Sequence, residues 1–422
     1  MELNIGIIDS DQANEFLRSL WAEIATEFGS CGWSYMPYKD IQGKRIHFGV
    51  MAAGQHALAV SISYKDRGSI INLYFDYPDT KKSLELDSPL GQQLKRVVRK
   101  ARRNMGNYQK YLVTEQIKSY FPLSFYETKF FKSGLLSEEV TEISFPVWAY
   151  DNNQCNGLAV QKLNQIMDFL AVETNVPFWK NPEKMKIHAK STAVLKTEQY
   201  QDDDFISEYS LQNDCLVISK KGKAFLDFMI NNNDINEDLN KFLNACYHFH
   251  TARKYDAQIF DYKGYKHTLS EDESRLEVDI YTKNKDLETA FRLGNSHTEI
   301  ASTLYMSALE VVTLIGFKED KCDSCGQTKF SIMRRVKELA SKYLNPVAAD
   351  SLSDYYNKRS EYLHKGSILT NPTPSFSSVP LLDKDDNTGT NFPVKVMVDH
   401  LREDTSYILR NFYKEHFANI LS

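Results

Sequence analysis

The sequence predicts an α+β protein, in which an N-terminal mixed domain built on an antiparallel sheet precedes a C-terminal all-α bundle. Two β-prone runs, residues 57–64 and 69–75, are separated by Lys-Asp-Arg-Gly, which is typical of a hairpin. Later in the chain, apolar residues recur at helical spacing. Asn-Asn-Asn-Asp at 231–234 separates the two patterns and is polar and turn-prone. The predicted domains are therefore residues 1–230 and 235–422.

Composition sets the broad class. The chain has 422 residues, 42% hydrophobic and 25% charged, as expected for a globular protein with two or three cored domains. Its net charge of -5 argues against non-specific nucleic-acid binding over the whole surface, but is compatible with a local basic site.

The chain shows no targeting signal or membrane span. Its N-terminus lacks the basic start and apolar core of a secretory signal, and no apolar run approaches the length of a membrane span. Six cysteines spread over the chain do not form a disulfide framework. We therefore expect a cytoplasmic protein with no membrane partner.

The N-terminal half alternates helices and strands. A first helix can be capped by Ser10 or Asp11 and ends at Gly29. A second helix, at 94–105, carries a basic surface that is either a contact for RNA or another anionic partner, or a solvated face. Further predicted elements are strands at 126–131, 142–150 and 215–219, and helices at 158–172 and 221–230.

The C-terminal half is predicted to be helical. A first long helix turns Leu239 and Phe242 inward, and residues 261–286 are predicted to be an irregular connection. Ser-His-Thr-Glu at 296–299 has the pattern of a capping box, which predicts the start of the next helix there.

An arginine lies on the predicted inward face of a helix near the C-terminus. Leu352, Tyr356, Arg359 and Leu363 recur at steps of four, three and four residues. An unpaired guanidinium in a core is unfavourable, so Arg359 needs a buried carboxylate, a cleft or a second subunit beside it. Glu310, in an apolar helical stretch, is a reasonable carboxylate partner; the alternative is that it faces water.

A histidine follows this arginine after a spacing that does not suit one straight helix. His364 lies roughly 140° around the helix from Arg359, so the two side chains do not meet easily. Ser360 and His364, four residues apart, share a flank. Gly366 is predicted to end the helix.

The pattern Tyr356-x-x-Arg359-Ser360-x-x-x-His364-x-Gly366 resembles the signature of the HEPN superfamily, helical RNases with an arginine and a histidine separated by four to six residues. It looks most like the ApeA-like branch found in bacterial anti-phage systems. The resemblance covers roughly residues 236–422. Two other arginine–histidine pairs share the bare spacing without these flanking residues: Arg292 with His297, and Arg410 with His416.

The resemblance implies a metal-independent endoribonuclease. His364 would act as acid or base, Arg359 would bind the phosphate, and Ser360 would orient them. Tyr356 and Glu310 would support the site, since a similar Ala-Leu-Glu segment recurs in the family. Two protomers would pair so that both motifs line one cleft, leaving a 2′,3′-cyclic phosphate and a 5′-hydroxyl. RNA, with tRNA as one candidate, a second copy of the chain and a phage-derived trigger are the implied partners.

Two neighbouring segments also resemble HEPN relatives. A basic helix carries Arg334, Arg335 and Lys337, which are candidate RNA contacts. Before it, Cys322 and Cys325 form one Cys-x-x-Cys turn. A structural zinc usually takes four ligands and no second pair follows, so the alternatives are no cofactor or a zinc with distant ligands.

Other functional classes stay open. Arg359 could make a core ion pair while His364 caps a helix end, in which case the module would be catalytically silent and would serve dimerisation or RNA binding. The N-terminal half could instead recognise a viral component and release the helical half.

Overall fold

The structure is a computed structural model of the chain. It describes residues 1–29, 32–40, 43–53, 55–66, 68–80, 82–181, 211–212, 215–231, 236–256, 265–269, 276–280, 285–317, 332–366 and 398–421.

Strands occur in both halves of the chain. The strands are β1 (Glu2–Ile7), β2 (Gly32–Lys39), β3 (Arg45–Ala53), β4 (His56–Ser63), β5 (Ile70–Asp76), β6 (Gln109–Lys118), β7 (Tyr126–Glu127), β8 (Lys132–Leu135), β9 (Val140–Ala149), β10 (Trp179–Lys180), β11 (Leu211–Gln212), β12 (Cys215–Leu216), β13 (Tyr265–Leu269) and β14 (Leu276–Ile280).

Helices dominate after residue 220. The helices are α1 (Ser10–Phe28), α2 (Pro89–Arg103), α3 (Asn152–Thr174), α4 (Lys220–Asn231), α5 (Glu237–Asp256), α6 (Lys285–Val312), α7 (Ile332–Tyr343), α8 (Pro346–Lys365), α9 (Val398–His416) and α10 (Ala418–Leu421). With antiparallel sheets concentrated in the N-terminal half, the predicted α+β class is confirmed.

The chain forms two compact units. One comprises residues 1–111 and 147–159, and the other residues 112–146 and 160–422, so β6, β9 and α3 contribute residues to both. The predicted boundary at residues 231–234 lies within the second unit. The division into domains 1–230 and 235–422 stays a prediction.

The first unit is built on an antiparallel sheet with the strand order β1-β5-β4-β3-β2. The predicted hairpin is confirmed, since β4 pairs with β5. The hydroxyl of Ser69 closes its turn by accepting hydrogen bonds from the amides of Lys65 and Asp66, each at 3.1 Å. Leu73 of the sheet shares a core with Phe16 of α1 and Leu94 of α2, and all three are fully buried.

Helices α1 and α2 begin slightly earlier than predicted. The cap of α1 is Asp9 rather than Ser10 or Asp11, because its carboxylate accepts hydrogen bonds from the amides of Asp11 and Gln12. Gly29 ends the helix as predicted. In α2 the basic Lys100 pairs with Glu23 at 2.6 Å, and both interpretations of the remaining basic face stay open.

The second unit combines a five-stranded sheet, with the order β10-β6-β9-β8-β7, and most of the helices. Helix α6 packs against α5, α7, α8 and α9. An aromatic cluster joins α3, α4, α5 and α9 at the centre, where Phe225 lies 4.7 Å from Phe169, 5.4 Å from Phe242 and 5.0 Å from Tyr413 between ring centroids. Most residues that line this core are apolar and fully buried.

Buried polar contacts tie the segment before residue 231 to the helices after it. His250 lies 2.6 Å from the carboxylate of Asp168, and Tyr413 donates a hydrogen bond to Glu173 at 2.7 Å. Because each of these groups is shielded from water, it depends on its partner for hydrogen bonding.

Two local predictions for the C-terminal half were wrong. Residues 261–286 are not merely an irregular connection, because β13 and β14 pair as an antiparallel ladder. Helix α6 begins at Lys285 and runs through the supposed capping box, which includes Ser296. Gly294 lies within this helix. One glycine in a helix costs only about 1 kcal/mol, which packing can offset.

No described helix combines the length and the apolar character that crossing a membrane requires.

Candidate functional site

Helix α8 carries the arginine–histidine pattern between two well-defined ends. Asn345 caps its start by accepting a hydrogen bond from the amide of Ala348 at 3.0 Å, and Pro346 occupies the first turn. Gly366 ends the helix as predicted, in the left-handed conformation with φ 70°. Residues 346–365 therefore form one continuous helix, and the angular separation between Arg359 and His364 holds.

Arg359 is paired with Glu310 of α6. One guanidinium nitrogen donates to the carboxylate at 2.6 Å, and the other lies 3.4 Å from the second oxygen and 3.3 Å from the hydroxyl of Ser307. Glu310 was predicted either to pair with Arg359 or to face water, and the structure shows the pair. The side chains are 16% and 19% exposed, so the pair lies at the edge of the core.

The guanidinium is not saturated by these contacts. Nε of Arg359 is buried and has no hydrogen-bond partner among the described residues. A guanidinium offers five N–H donors, so it retains capacity for a further acceptor. Nε itself is shielded, but the side chain is partly exposed at the edge of the core, where the guanidinium is placed to bind an oxyanion.

Tyr356 lies beside this pair, one helical turn earlier. Its ring centre is 5.9 Å from the Arg359 guanidinium carbon. Burial raises the pKa of the Tyr356 hydroxyl, and the negative charge of Glu310 raises it further. The phenol therefore stays protonated at neutral pH and can donate a hydrogen bond.

His364 lies away from this cluster. It is exposed in the last turn of α8, and Ser360 is half-buried on the same helix. The predicted inward stripe is only partly correct, because Leu352 is fully buried but Leu363 is 48% exposed. The core-facing stripe therefore stops before the last turn.

The three predicted RNA contacts on α7 differ in environment. Arg334 and Lys337 are exposed and pair with Glu338 and Asp350, at 2.7 and 2.9 Å. Arg335 is half-buried and stacks its guanidinium 4.2 Å from the ring centre of Phe317. Arg335 is thus held by its neighbours rather than turned fully outward.

The predicted cysteine pair, Cys322 and Cys325, lies outside the described residues, and a zinc site there stays a prediction. Elsewhere, the described part of the chain contains no group of three or more histidine, cysteine or acidic side chains arranged to hold a metal.

The two competing arginine–histidine pairs have different surroundings. The side chains of Arg292 and His297 also lie outside the described part of the chain. Arg410 is buried and donates to the hydroxyl of Ser406 at 3.3 Å, while His416 stacks on Phe412. The second pair thus belongs to the packing of α9.

One residue near the site was missed by the sequence reasoning. His248 of α5 is half-buried, and the charge of Glu310 acts on it. The sequence did not distinguish His248 as a site residue. It lies two positions before the buried His250, and residues two apart on a helix point to different sides, so the burial of one says nothing about the other. Only the packing of α5 against α6 relates it to the Arg359–Glu310 pair.

No family model, curated protein or solved structure matches this chain significantly.

Proposed function

We propose that this protein is a metal-independent endoribonuclease of the HEPN type, acting in the cytoplasm through Arg359 and His364. The observation that carries the proposal is the Arg359 guanidinium, held by Glu310 and Ser307 at the edge of the core with 16% of its side chain exposed. A guanidinium in that position suits the negative charge that develops on a phosphorane during RNA cleavage.

The proposed site draws on two copies of the chain. Arg359 and His364 lie on different sides of α8, and His364 is exposed, so the histidine of one copy would face the arginine of another. Leu363, beside His364, is 48% exposed, and the second copy would cover it in this arrangement. The homodimer is part of the proposal.

The reaction needs one proton acceptor and one donor. A base removes the proton of the ribose 2′-hydroxyl, the 2′ oxygen attacks phosphorus, and the bond to the 5′ oxygen breaks as that oxygen takes up a proton. The imidazole of His364 serves one of these steps, Ser360 orients it, and Arg359 binds the phosphate oxygens. Arg334 and Lys337 on α7 would hold the RNA backbone.

The test compares RNA ends produced by purified wild type and by His364→Ala and Arg359→Ala variants, in the presence of EDTA. We expect wild type to leave 2′,3′-cyclic phosphate and 5′-hydroxyl ends, and each variant to cleave at least about 100-fold more slowly. His56→Ala and Arg18→Ala, which change exposed side chains outside the helical unit, serve as matched controls. Identical ends from wild type and His364→Ala, or cleavage that EDTA abolishes and Mg²⁺ restores, would contradict the proposal.

A second candidate function is a catalytically silent module for dimerisation or RNA binding. The observation that favours it is that Glu310 already neutralises Arg359 while His364 contacts solvent. The same two proteins separate the candidates. If the module is silent, wild type and His364→Ala bind RNA equally well, and neither protein cleaves it.

The biological role in this proposal is anti-phage defence by abortive infection, triggered by a phage component that the N-terminal half senses. It rests on the resemblance of the motif alone. Phage plating on cells that express wild type should fall relative to cells that express His364→Ala at equal protein level. If phage plate equally well on both strains, the defence role is wrong. The nuclease activity is then decided by the RNA ends alone.

A further inference from the structure

His248 differs from its neighbour His250 in how its ring is satisfied. His250 lies 2.6 Å from Asp168 through Nδ1 and 2.9 Å from the carbonyl of Phe178 through Nε2. In His248, by contrast, Nδ1 is buried and has no hydrogen-bond partner among the described residues. A polar atom left in this state reduces stability, which makes it a candidate for a functional group.

The groups around His248 come from several helices. Glu310 of α6 acts on its charge, and Arg359 and Tyr356 of α8 contact or adjoin Glu310. Helix α5, which carries His248, packs against α6. The Glu310 carboxylate of α6 therefore acts both on the guanidinium of α8, which it binds directly, and on the imidazole of α5.

The protonation state of His248 suits a proton acceptor. Burial lowers its pKa from the ordinary 6.5, and the carboxylate of Glu310 opposes this effect. The ring is therefore mostly neutral at pH 7. Since Nδ1 is the buried nitrogen, Nε2 is the one assigned to contact a ligand.

The arginine–histidine pattern supplies one imidazole per chain, whereas RNA transesterification uses both a base and an acid. We propose that His248 is the base of the site, a catalytic residue that accepts the 2′-hydroxyl proton at Nε2. The 2′ oxygen then bonds to phosphorus, the P–O5′ bond breaks, and His364 of a second copy gives a proton to the leaving oxygen. This inference rests on the proposed function and completes its acid–base pair.

The carboxylate of Glu310 has a second use in this scheme. Its negative charge acts on His248 and favours the protonated ring that forms when the imidazole accepts a proton. A carboxylate stabilises the protonated histidine of a serine protease in the same electrostatic sense.

The test measures kcat and KM on a single-stranded oligoribonucleotide from pH 5 to 8, for wild type, His248→Gln and the control His416→Gln. We expect His248→Gln to lower kcat at least about 100-fold with little change in KM, and to remove the fall in rate on the acid side of the profile. In wild type that fall should have its midpoint below the ordinary histidine value. His416→Gln, which changes an exposed side chain of α9 that stacks on Phe412, should leave both kcat and profile unchanged.

A second measurement guards against misfolding. His248→Gln should bind a 2′-deoxy-substituted oligonucleotide, which cannot be cleaved, with the same Kd as wild type. If His248→Gln cleaves at the wild-type rate with the wild-type pH profile, while Arg359→Ala and His364→Ala are inactive, the base assignment fails and the nuclease proposal stands. If kcat and 2′-deoxy binding fall together, His248 is structural and the assignment also fails. A wild-type protein that cuts no RNA overturns both.

Discussion

Arg359 and Glu310 form an ion pair at the edge of the core. Both side chains are largely shielded, so each needs the other to offset its loss of hydration. Removing one partner leaves the other charge poorly solvated, whereas removing both is less harmful. The contribution of the pair can therefore be separated from that of each residue.

Arg359→Ala should lower the free energy of unfolding by about 1–3 kcal/mol, because it leaves the Glu310 carboxylate without its donor. The double variant Arg359→Ala/Glu310→Ala should be less destabilised than the sum of the single variants, by at least about 0.5 kcal/mol. Urea unfolding of the four proteins measures this coupling, and Arg18→Ala, an exposed arginine in the other unit, is the control. Strictly additive effects would show that the pair contributes nothing.

The buried His250 should make the protein sensitive to acid. Burial lowers its pKa, while the hydrogen bond with Asp168 opposes this. The unfolded imidazole, with a pKa of about 6.5, therefore binds a proton more readily than the folded one. Above pH 6.5 the imidazole is neutral in both states and does not change the free energy of unfolding. That free energy then falls as the pH drops from the unfolded-state pKa towards the folded-state pKa.

The measurement is the free energy of unfolding between pH 7 and 5 for wild type and His250→Gln. The variant should be less stable at pH 7 but should lose less stability on acidification. Burial raises the pKa of Asp404 to about 6, so its protonation stabilises the folded state as the pH falls, opposite to the effect of His250. The two proteins are therefore compared by the slope of the free energy of unfolding against pH. His56→Gln, exposed on β4, should keep the wild-type slope. Parallel slopes for wild type and His250→Gln would refute the assignment.

The end of α8 depends on the backbone of a single glycine. Gly366 has φ 70°, and a Cβ there would meet no atom within 4 Å. Any cost of Gly366→Ala therefore comes from the left-handed conformation and not from crowding. Since His364 lies in the last turn, fraying of this end would also displace it.

Gly366→Ala should lower the free energy of unfolding by about 1 kcal/mol and slow RNA cleavage, while Gly366→Asn should do less, because asparagine tolerates φ > 0. Gly157→Ala is the matched control: it lies in α3, also with open space around it, and should raise stability by up to about 1 kcal/mol. Thermal unfolding and cleavage rates measure both effects. Equal stability of Gly366→Ala and wild type would mean that the helix end is not held by this turn.

The second compact unit includes strands and two helices, α3 and α4, that precede the predicted boundary. Residues before the predicted boundary supply partners to buried groups after it: Glu173 accepts from Tyr413, and Asn175 donates to Glu403 at 2.5 Å. Phe169 and Phe225 pack on Tyr413 as well. Cutting the chain near residue 231 would expose all of these groups.

A fragment of residues 235–422 should therefore fail to fold, whereas residues 109–422, which begin with β6 and contain the whole second unit, should fold cooperatively. Near-UV circular dichroism and urea unfolding of both fragments check this. A stably folded 235–422 fragment would instead support the predicted two-domain division and would show that these cross-boundary contacts are dispensable.

Local chemistry made much of this fold predictable. The β4–β5 hairpin, the glycine that ends α8 and the arginine on its inward side follow from residues a few positions apart, whose preferences act before any packing exists. The start of α6 and the pairing of β13 with β14 did not follow, because packing can override weak local preferences.

The site shows the same division between near and distant residues. The pattern of α8 identified Arg359 and suggested Glu310. It did not indicate that Ser307 would also accept a hydrogen bond from Arg359, or that Glu310 would act on the charge of His248. Arg359 and Glu310 are 49 residues apart, and His248 lies on a third helix. Contacts over such separations exist only once helices have packed side by side, because the periodicity of one helix says which side faces inward and nothing about which neighbour it meets.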